Sequence, residues 1–230
     1  MSNPSTPPTP PTPSTPFAPA AVIFDFDGTL VDTIPLIVES WNAAVRKSLG
    51  RSFTTPEVIA LFGLPEPEML RRAVPADAWQ SALDAYYRHY ETKHDCVQPF
   101  PGILRLLQRI AANCIPIGVM TGKARVTADI SLRALQWNAL FRCVVTGDEV
   151  AEQKPHPEGV LKVAAAMDVD PARCVFVGDS PVDIAAGRSA GMMTVAAAWH
   201  SHYLEQLRQA GADVFCETPE SVAAALGLRD

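Results

Sequence analysis

No segment of the 230-residue sequence is long and apolar enough to span a membrane, since such a helix requires roughly 20 apolar residues. Charge is also limited: 19% of the residues are charged, and the net charge at pH 7 is −6. A negatively charged chain is poorly suited to the phosphate backbone of nucleic acids. We therefore expect neither a membrane nor a nucleic acid as partner. A local basic pocket for a small anion is compatible with this composition.

Cysteine is scarce and shows no motif spacing. The five cysteines are odd in number and include no Cys-x-x-Cys pair: Cys96, Cys114, Cys143, Cys174 and Cys216. This pattern argues against a disulfide framework and against a thiolate metal site. We interpret the cysteines as small buried apolar residues of a protein in the reducing cytoplasm. A catalytic thiol is the alternative, but no cysteine lies beside a histidine.

Charge is absent altogether from residues 1–20, which are almost wholly Pro, Thr, Ser and Ala. Such a segment cannot bury enough apolar surface to fold, so we expect it to be extended or disordered. It also lacks the basic start and the apolar middle of a secretory signal. We interpret it as a passive tail, and a proline-rich ligand for a partner domain is the alternative.

Short apolar segments that are typical of strands occur six times in the rest of the chain. They are Ala21–Asp27, Ile115–Thr121, Cys143–Thr146, Cys174–Asp179, Met193–Ala198 and Asp213–Cys216. Helical patterns lie between the later ones, and strands that alternate with helices form parallel sheets. We therefore predict an α/β fold, with a Rossmann-like parallel sheet covered by helices on both faces.

About 90 residues separate the first two predicted strands, far more than one crossover connection needs. Residues 35–98 have helical periodicity, and we predict an all-helical insert of four or five helices. Its two ends lie beside the carboxyl end of the first strand, which suits a lid. The predicted units are the tail, a core at residues 21–34 and 99–230, and a helical cap at residues 35–98. A separate domain without a catalytic role is the alternative for the insert.

Two carboxylates, Asp25 and Asp27, end the first predicted strand. Residues two apart on a strand share one face, and the chain then breaks at Gly28-Thr29. Ligands of open α/β sheets bind at this edge. A divalent cation and a phosphate would offset the cost of burying two carboxylates there. A pair of capping aspartates in an ordinary turn is the alternative.

A second acidic strand end follows at Asp179, with Asp183 four residues later. Together with the first pair, these residues give four carboxylates on two strand ends. Such a hard, oxygen-rich site suits Mg²⁺, and repulsion among the carboxylates would be severe without a cation. The sequence therefore predicts a magnesium site.

Two further positions suit phosphate binding. Thr121 ends the second predicted strand and precedes Gly122, so a hydroxyl and backbone N–H groups are available there. Lys154 stands between Gln153 and a proline-rich helix start, which would hold its positive charge near the site. Each signal is common on its own, and a solvated lysine is the alternative for Lys154. We interpret His156 as a turn residue rather than a general base.

Taken together, these segments resemble the four motifs of the haloacid dehalogenase-like hydrolases, in the same order. Residues 25–33, with the sequence Asp-Phe-Asp-Gly-Thr-Leu-Val-Asp-Thr, resemble the first motif, and Thr121 stands at the second. Lys154 begins a Lys-Pro-x-Pro form of the third, and residues 178–183 resemble the fourth. Residues 199–213 also resemble the phosphoglycolate phosphatase-like subgroup. His200-Ser201 departs from that subgroup, which usually has Gly after the Trp.

The resemblance implies a Mg²⁺-dependent phosphatase that hydrolyses a small phosphorylated metabolite, phosphoglycolate first among them, through an aspartyl-phosphate. By resemblance, Asp25 is the nucleophile and Asp27 is the general acid and base. Phosphate oxygens would be held by Thr121, Gly122 and Lys154. The metal ligands would be the Asp25 carboxylate, the Asp27 backbone carbonyl and Asp179, with Asp183 supporting.

A sugar phosphomutase of the β-phosphoglucomutase type shares the same core. Its cap carries a phosphate-binding arginine three residues after a glycine, and here Gly63 is followed by Glu66. With Glu68 close by, two carboxylates near the entrance would repel a second phosphate. We therefore expect net hydrolysis, provided that residues 63–69 face the site.

Further activities of this fold, and a purely binding role, receive less support from the sequence. An inorganic pyrophosphatase is compatible with the same motifs. A dehalogenase of this fold needs neither Asp27 nor Asp179, and a phosphonoacetaldehyde hydrolase needs a lysine that is missing between Gly63 and Met69. A non-enzymatic binding protein would not need an intact set of four aspartates, Thr and Lys. The oligomeric state is open.

Overall fold

The computed structural model describes residues 18–229, so most of the predicted tail lies outside the described residues. Its strands are β1 (Ala21–Phe24), β2 (Ile117–Met120), β3 (Cys143–Val145), β4 (Cys174–Gly178), β5 (Met193–Ala197) and β6 (Val214–Cys216). They form one sheet in the order β3-β2-β1-β4-β5-β6, and every neighbouring pair is parallel. The predicted α/β fold is confirmed, and each of the six predicted segments contains a strand.

Four α-helices form the insert that follows β1. They are α1 (Ile34–Leu49), α2 (Thr55–Ile59), α3 (Glu66–Ala73) and α4 (Trp79–Lys93), with a single 3₁₀ turn at His94–Cys96. Helices α1 and α4 pack against each other, and the fully buried rings of Trp41, Tyr86 and Tyr90 lie among their contacts. Their apolar faces merge with the main core, so the insert and the sheet share one buried cluster.

The remaining helices flank the sheet. They are α5 (Ile103–Ala112), α6 (Arg125–Ala134), α7 (Glu158–Ala166), α8 (Pro181–Ser189), α9 (Leu204–Gln209) and α10 (Pro219–Ala225). All four residues of β1 are fully buried, as a central parallel strand between two helical layers requires. Two of these helices, α5 and α10, were not anticipated from the sequence. No helix of the described residues is long and apolar enough to cross a membrane.

Two expectations need correction. The first strand ends at Phe24 rather than Asp27, because the chain leaves the sheet at Asp25 and turns. Cys96 and Cys114 are exposed rather than buried, and Cys143 is half-buried. The first two lie in turns after α4 and α5, so their side chains miss both the sheet and the helix faces. Cys174 and Cys216 are buried as expected.

Gly118 in β2 allows α7 to pack closely on the sheet that carries the candidate site. A Cβ added at Gly118 would lie 2.3 Å from Val163 Cγ1, and Val163 is fully buried. We expect Gly118→Ala to reduce the free energy of unfolding by about 1–3 kcal/mol, because a stiff β-branched neighbour must move. Urea unfolding followed by circular dichroism measures this loss.

The matched control is Val163→Ala, alone and combined with Gly118→Ala. The double variant should lose less stability than the sum of the two single losses, because the smaller residue 163 leaves room for the added methyl. Additive losses, or a single Gly118→Ala variant as stable as the parent, would contradict this account of the packing.

Candidate active site

Three carboxylates converge at the carboxyl edge of the sheet. Asp25 follows β1, Asp179 follows β4, and Asp183 lies in the first turn of α8; one oxygen from each lies within 4.8 Å of the others. Since β1 and β4 are neighbours, the two strand ends deliver their aspartates side by side. The Asp25 N–H also donates to the Val177 carbonyl at 2.9 Å. The predicted acidic residues 25, 179 and 183 are therefore brought together.

Lys154 is the counter-ion of this cluster. Its Nζ lies 2.8 Å from Asp25 Oδ1 and 2.6 Å from Asp183 Oδ1, and its side chain is nearly buried. Burial disfavours the ammonium, but the carboxylates of Asp183 and Asp25 outweigh that effect and raise the pKa of Lys154. The alternative interpretation of a solvated lysine is wrong.

One ammonium does not balance three buried carboxylates. Burial raises the pKa of Asp25 to about 7; Lys154 acts against the rise, whereas Asp183 and Asp27 add to it. Burial, followed by the charges of Asp25 and Asp183, also raises the pKa of Asp179 well above its usual range. A divalent cation would remove this excess of negative charge, and the all-oxygen donor set is the kind that Mg²⁺ binds.

The loop after β1 is fitted closely around Asp179. Thr29 Oγ1 donates to Asp179 Oδ1 at 3.1 Å. Gly28 has a φ of +80°, and a Cβ there would lie 2.6 Å from Asp179 Oδ2. Only glycine meets both conditions, which explains why the chain needs it directly after the acidic pair.

The segment after β5, which departs from the expected subgroup pattern, is also tied to the site. The Ser201 hydroxyl donates to the Asp179 backbone carbonyl at 2.6 Å and accepts from the Tyr203 N–H at 3.0 Å. The Trp199 indole N–H donates to the Thr29 carbonyl at 3.1 Å. A serine hydroxyl thus fixes this loop, and His202 and Tyr203 line the cavity above the carboxylates.

Asp27 lies in a separate contact set from the carboxylate cluster. Its Oδ1 accepts hydrogen bonds from the Thr33 hydroxyl and, at 3.1 Å, from Lys123 Nζ. Burial disfavours the Lys123 ammonium, but Asp27 first, and then Tyr90 and Glu66, outweigh it and raise the pKa of Lys123. Sequence analysis gave Lys123 no role; its only signal was its place two residues after Thr121.

Thr121 and Gly122 occupy the turn at the end of β2, as predicted. Thr121 is buried, its N–H donates to the Val145 carbonyl at 3.0 Å, and its Oγ1 accepts from the Lys123 N–H at 3.3 Å. Among the described residues that line the cavity, Gly122 and Lys154 are present but Thr121 is not.

A cavity of about 320 Å³ lies between the sheet edge and the helical insert. The sheet side contributes Asp25, Asp27, Lys154 and Asp179, and the insert contributes Ile59, Phe62, Gly63, Leu64, Glu66 and Met69. The expectation that residues 63–69 face the site is met by Gly63, Leu64, Glu66 and Met69. The insert therefore forms the wall opposite the carboxylate cluster.

Glu68 does not stand at the cavity entrance, which corrects the expectation of two carboxylates there. It is not among the residues that line the cavity, and it pairs on the outer side of α3 with Arg71 and, at 2.8 Å, with Arg72. Helical geometry explains the difference, because residues 66 and 69 share one face of α3 and residue 68 points away from it.

Comparison with known proteins agrees with this geometry. The family model for haloacid dehalogenase-like hydrolases matches residues 22–197. Phosphoglycolate phosphatase of Xanthomonas campestris is 34% identical, covering 78% of this chain and 83% of that protein. Pyrophosphatase PpaX of Anoxybacillus flavithermus is 29% identical, covering 90% and 96%. The solved structure of CbbY from Rhodobacter sphaeroides with phosphate has the same fold, with a TM-score of 0.80 at 23% identity, covering 91% and 100%.

The raised pKa of Asp25 predicts how the stability of the metal-free protein depends on pH. The folded state binds this proton with a pKa of about 7, against 3.8 in an unperturbed carboxyl, so protonation favours folding. The stabilisation is complete below about pH 4 and is lost as the pH rises through about 7, by up to roughly 1.4 kcal/mol per pH unit. Asp25→Asn, which cannot ionise, should lack this component.

Thermal and urea unfolding in EDTA between about pH 5 and pH 8 measure the effect as the difference between the parent and the variant. This difference cancels the contributions of titrating groups that do not interact with Asp25. A difference in the free energy of unfolding that stays constant over that pH range would contradict the raised pKa of Asp25.

Proposed function

We propose that this chain hydrolyses small phosphate monoesters through an aspartyl-phosphate on Asp25, with Mg²⁺ as cofactor. The chain belongs to the haloacid dehalogenase-like hydrolase family and is a phosphatase. The observation that carries the proposal is the joint placement of Asp25, Lys154 and Asp179 on one wall of the cavity between the sheet and the insert. A buried nucleophile, a fixed cation and further acidic ligands are what phosphoryl transfer to a carboxylate requires.

In this mechanism, an Asp25 carboxylate oxygen attacks phosphorus, and the bond from phosphorus to the leaving oxygen breaks. Asp27, which lines the same cavity, gives its proton to the leaving oxygen. Asp27 then takes a proton from the water that cleaves the aspartyl-phosphate and regenerates Asp25. Lys154 and the Gly122 N–H hold the transferred oxygens, and Lys154 offsets their charge.

Mg²⁺ would be held by the Asp25 carboxylate, the Asp27 backbone carbonyl and Asp179, with Asp183 supporting. When bound, the ion withdraws electron density from the phosphate oxygens. Within this set, Asp183 has a second task, because it shares Lys154 with Asp25 and is itself fixed by the Ser180 N–H at 3.0 Å.

The first substrates to test follow from the relatives. We propose that residues 35–98 act as the cap that closes over the substrate. We also propose that the enzyme acts in the cytoplasm. Phosphoglycolate is the first compound to assay, because the subgroup resemblance and the name of the Xanthomonas relative both suggest it. Pyrophosphate is the second, favoured by the name of the Anoxybacillus relative, and phosphate release from the two compounds separates these candidates.

The nucleophile is tested with Asp25→Asn. The variant keeps the shape of residue 25 but removes the attacking charge, so kcat for p-nitrophenyl phosphate should fall by about 10³-fold or more. Rapid quenching should trap a phosphorylated parent enzyme and an unphosphorylated variant. A folded variant with more than about a tenth of the parental kcat would refute the assignment.

The metal is tested by binding as well as by activity. Millimolar Mg²⁺ should raise the Tm of the parent and support turnover, and EDTA should abolish both effects. Asp179→Asn should lose most of the Mg²⁺-dependent shift in Tm. The matched control is Glu91→Gln, an exposed carboxylate of α4 paired with Arg133, which should retain the full shift. Undiminished turnover of the parent in excess EDTA would point to a metal-free reaction.

A further inference from the structure

Glu66 is a buried carboxylate of the insert that is bound by the sheet side of the molecule. It is only 5% exposed and is the first residue of α3. Its Oε2 accepts the Ala124 N–H at 2.6 Å, and its Oε1 accepts the Thr127 hydroxyl at 2.7 Å. These donors belong to the start of α6, where free N–H groups and the helix dipole favour negative charge. The Glu66 carboxylate therefore takes the position at the N-terminus of α6 that an external anion would otherwise occupy.

Lys123 is shared between Glu66 and Asp27. Its Nζ lies 3.9 Å from Glu66 Oε1 and 3.1 Å from Asp27 Oδ1, and 2% of its side chain is exposed. Burial raises the pKa of Glu66, while Lys123, the Ala124 N–H and the Thr127 hydroxyl stabilise the ionised carboxylate. One ammonium thus faces two acidic groups, and little of its charge remains for a ligand.

The rest of this side of the cavity offers no compensating charge. The apolar lining comprises Ile34, Ile37, Ile59, Phe62, Leu64 and Met69. Apart from Lys123, the basic residues among the described lining are Lys154, which holds the phosphoryl side, and His202 of the loop after β5. Arg71 and Arg72 of α3 pair with Glu68 outside the cavity.

We propose that Glu66 is a specificity-determining residue that selects phosphate esters with an uncharged leaving group. Because Asp27 protonates the leaving oxygen, the leaving group must lie beside Lys123 and Glu66. A carboxylate or second phosphate in that place would compete with Glu66 for Lys123. The other surface available to its charge is apolar, so burying the charge there would cost free energy. This inference rests on the proposed phosphatase mechanism and refines its substrate class away from anionic leaving groups.

The test compares 2-phosphoglycolate with 2-phosphoglycolamide, which has the same shape but a neutral leaving group. We expect the parent enzyme to favour the amide in kcat/KM by at least about fivefold. Where turnover of either compound is too slow to measure, the ratio of their inhibition constants against p-nitrophenyl phosphate compares their binding instead. A preference below about fivefold, or a preference for the carboxylate, would overturn the inference.

Glu66→Gln assigns the preference to Glu66. The Gln carbonyl can accept from the Ala124 N–H and its amide can donate to Thr127 Oγ1, which then donates to the Ala124 carbonyl at 3.0 Å. Removing the charge releases Lys123, so the ratio should shift toward the carboxylate by at least about fivefold. An unshifted ratio in the folded variant would overturn the role of Glu66.

The matched control is Glu68→Gln, which removes a carboxylate from the outer side of the same helix and should leave the ratio unchanged. If Glu66→Gln does not fold, the parental ratio alone decides. Failure of the proposed function is distinguishable, because it would abolish hydrolysis of p-nitrophenyl phosphate by the parent, whereas failure of this inference changes only the ratio between the two matched compounds.

Discussion

The contact of Lys154 with Asp25 and Asp183 is the interaction on which the site depends. It joins three parts of the chain that are distant in sequence: the end of β1, the turn before α7 and the first turn of α8. Without that ammonium, the carboxylates would repel one another in a buried place. With it, Asp25 still retains a raised pKa, so the cluster is held in place and yet remains short of positive charge. This shortage is the reason for proposing that a cation binds there.

A second ionic set, around Lys123, repeats this design on the insert side of the cavity. There too, one buried ammonium lies between two carboxylates that come from different parts of the chain. The two sets divide the cavity, with the phosphoryl group assigned to Lys154 and the leaving group to the surroundings of Lys123. In the proposed mechanism, reactivity and selectivity are carried by separate lysines.

Much of the fold was predictable, because strands and helices leave periodic patterns and parallel strands need crossovers. The acidic residues after β1 and β4 were predictable for a similar reason, since neighbouring strands end at one edge. The contact of Lys123 with Glu66 was not, because it depends on how α3 docks against α6. Glu68 illustrates the same limit: only the orientation of the helix decides that residue 66 faces the cavity and residue 68 pairs with Arg72 outside it.

The pairing of β1 with β4 has a further consequence for Asp25 and Asp179. Phe24 is opposite Val177 in the ladder, and adjacent strands lie about 4.8 Å apart. The backbone hydrogen bonds between β1 and β4 therefore fix the distance between the backbone positions of Asp25 and Asp179. A loop-borne pair would drift apart when a connection gains or loses residues. This pair would keep its spacing, so the surrounding loops are free to diversify while the distance that an ion must bridge stays constant.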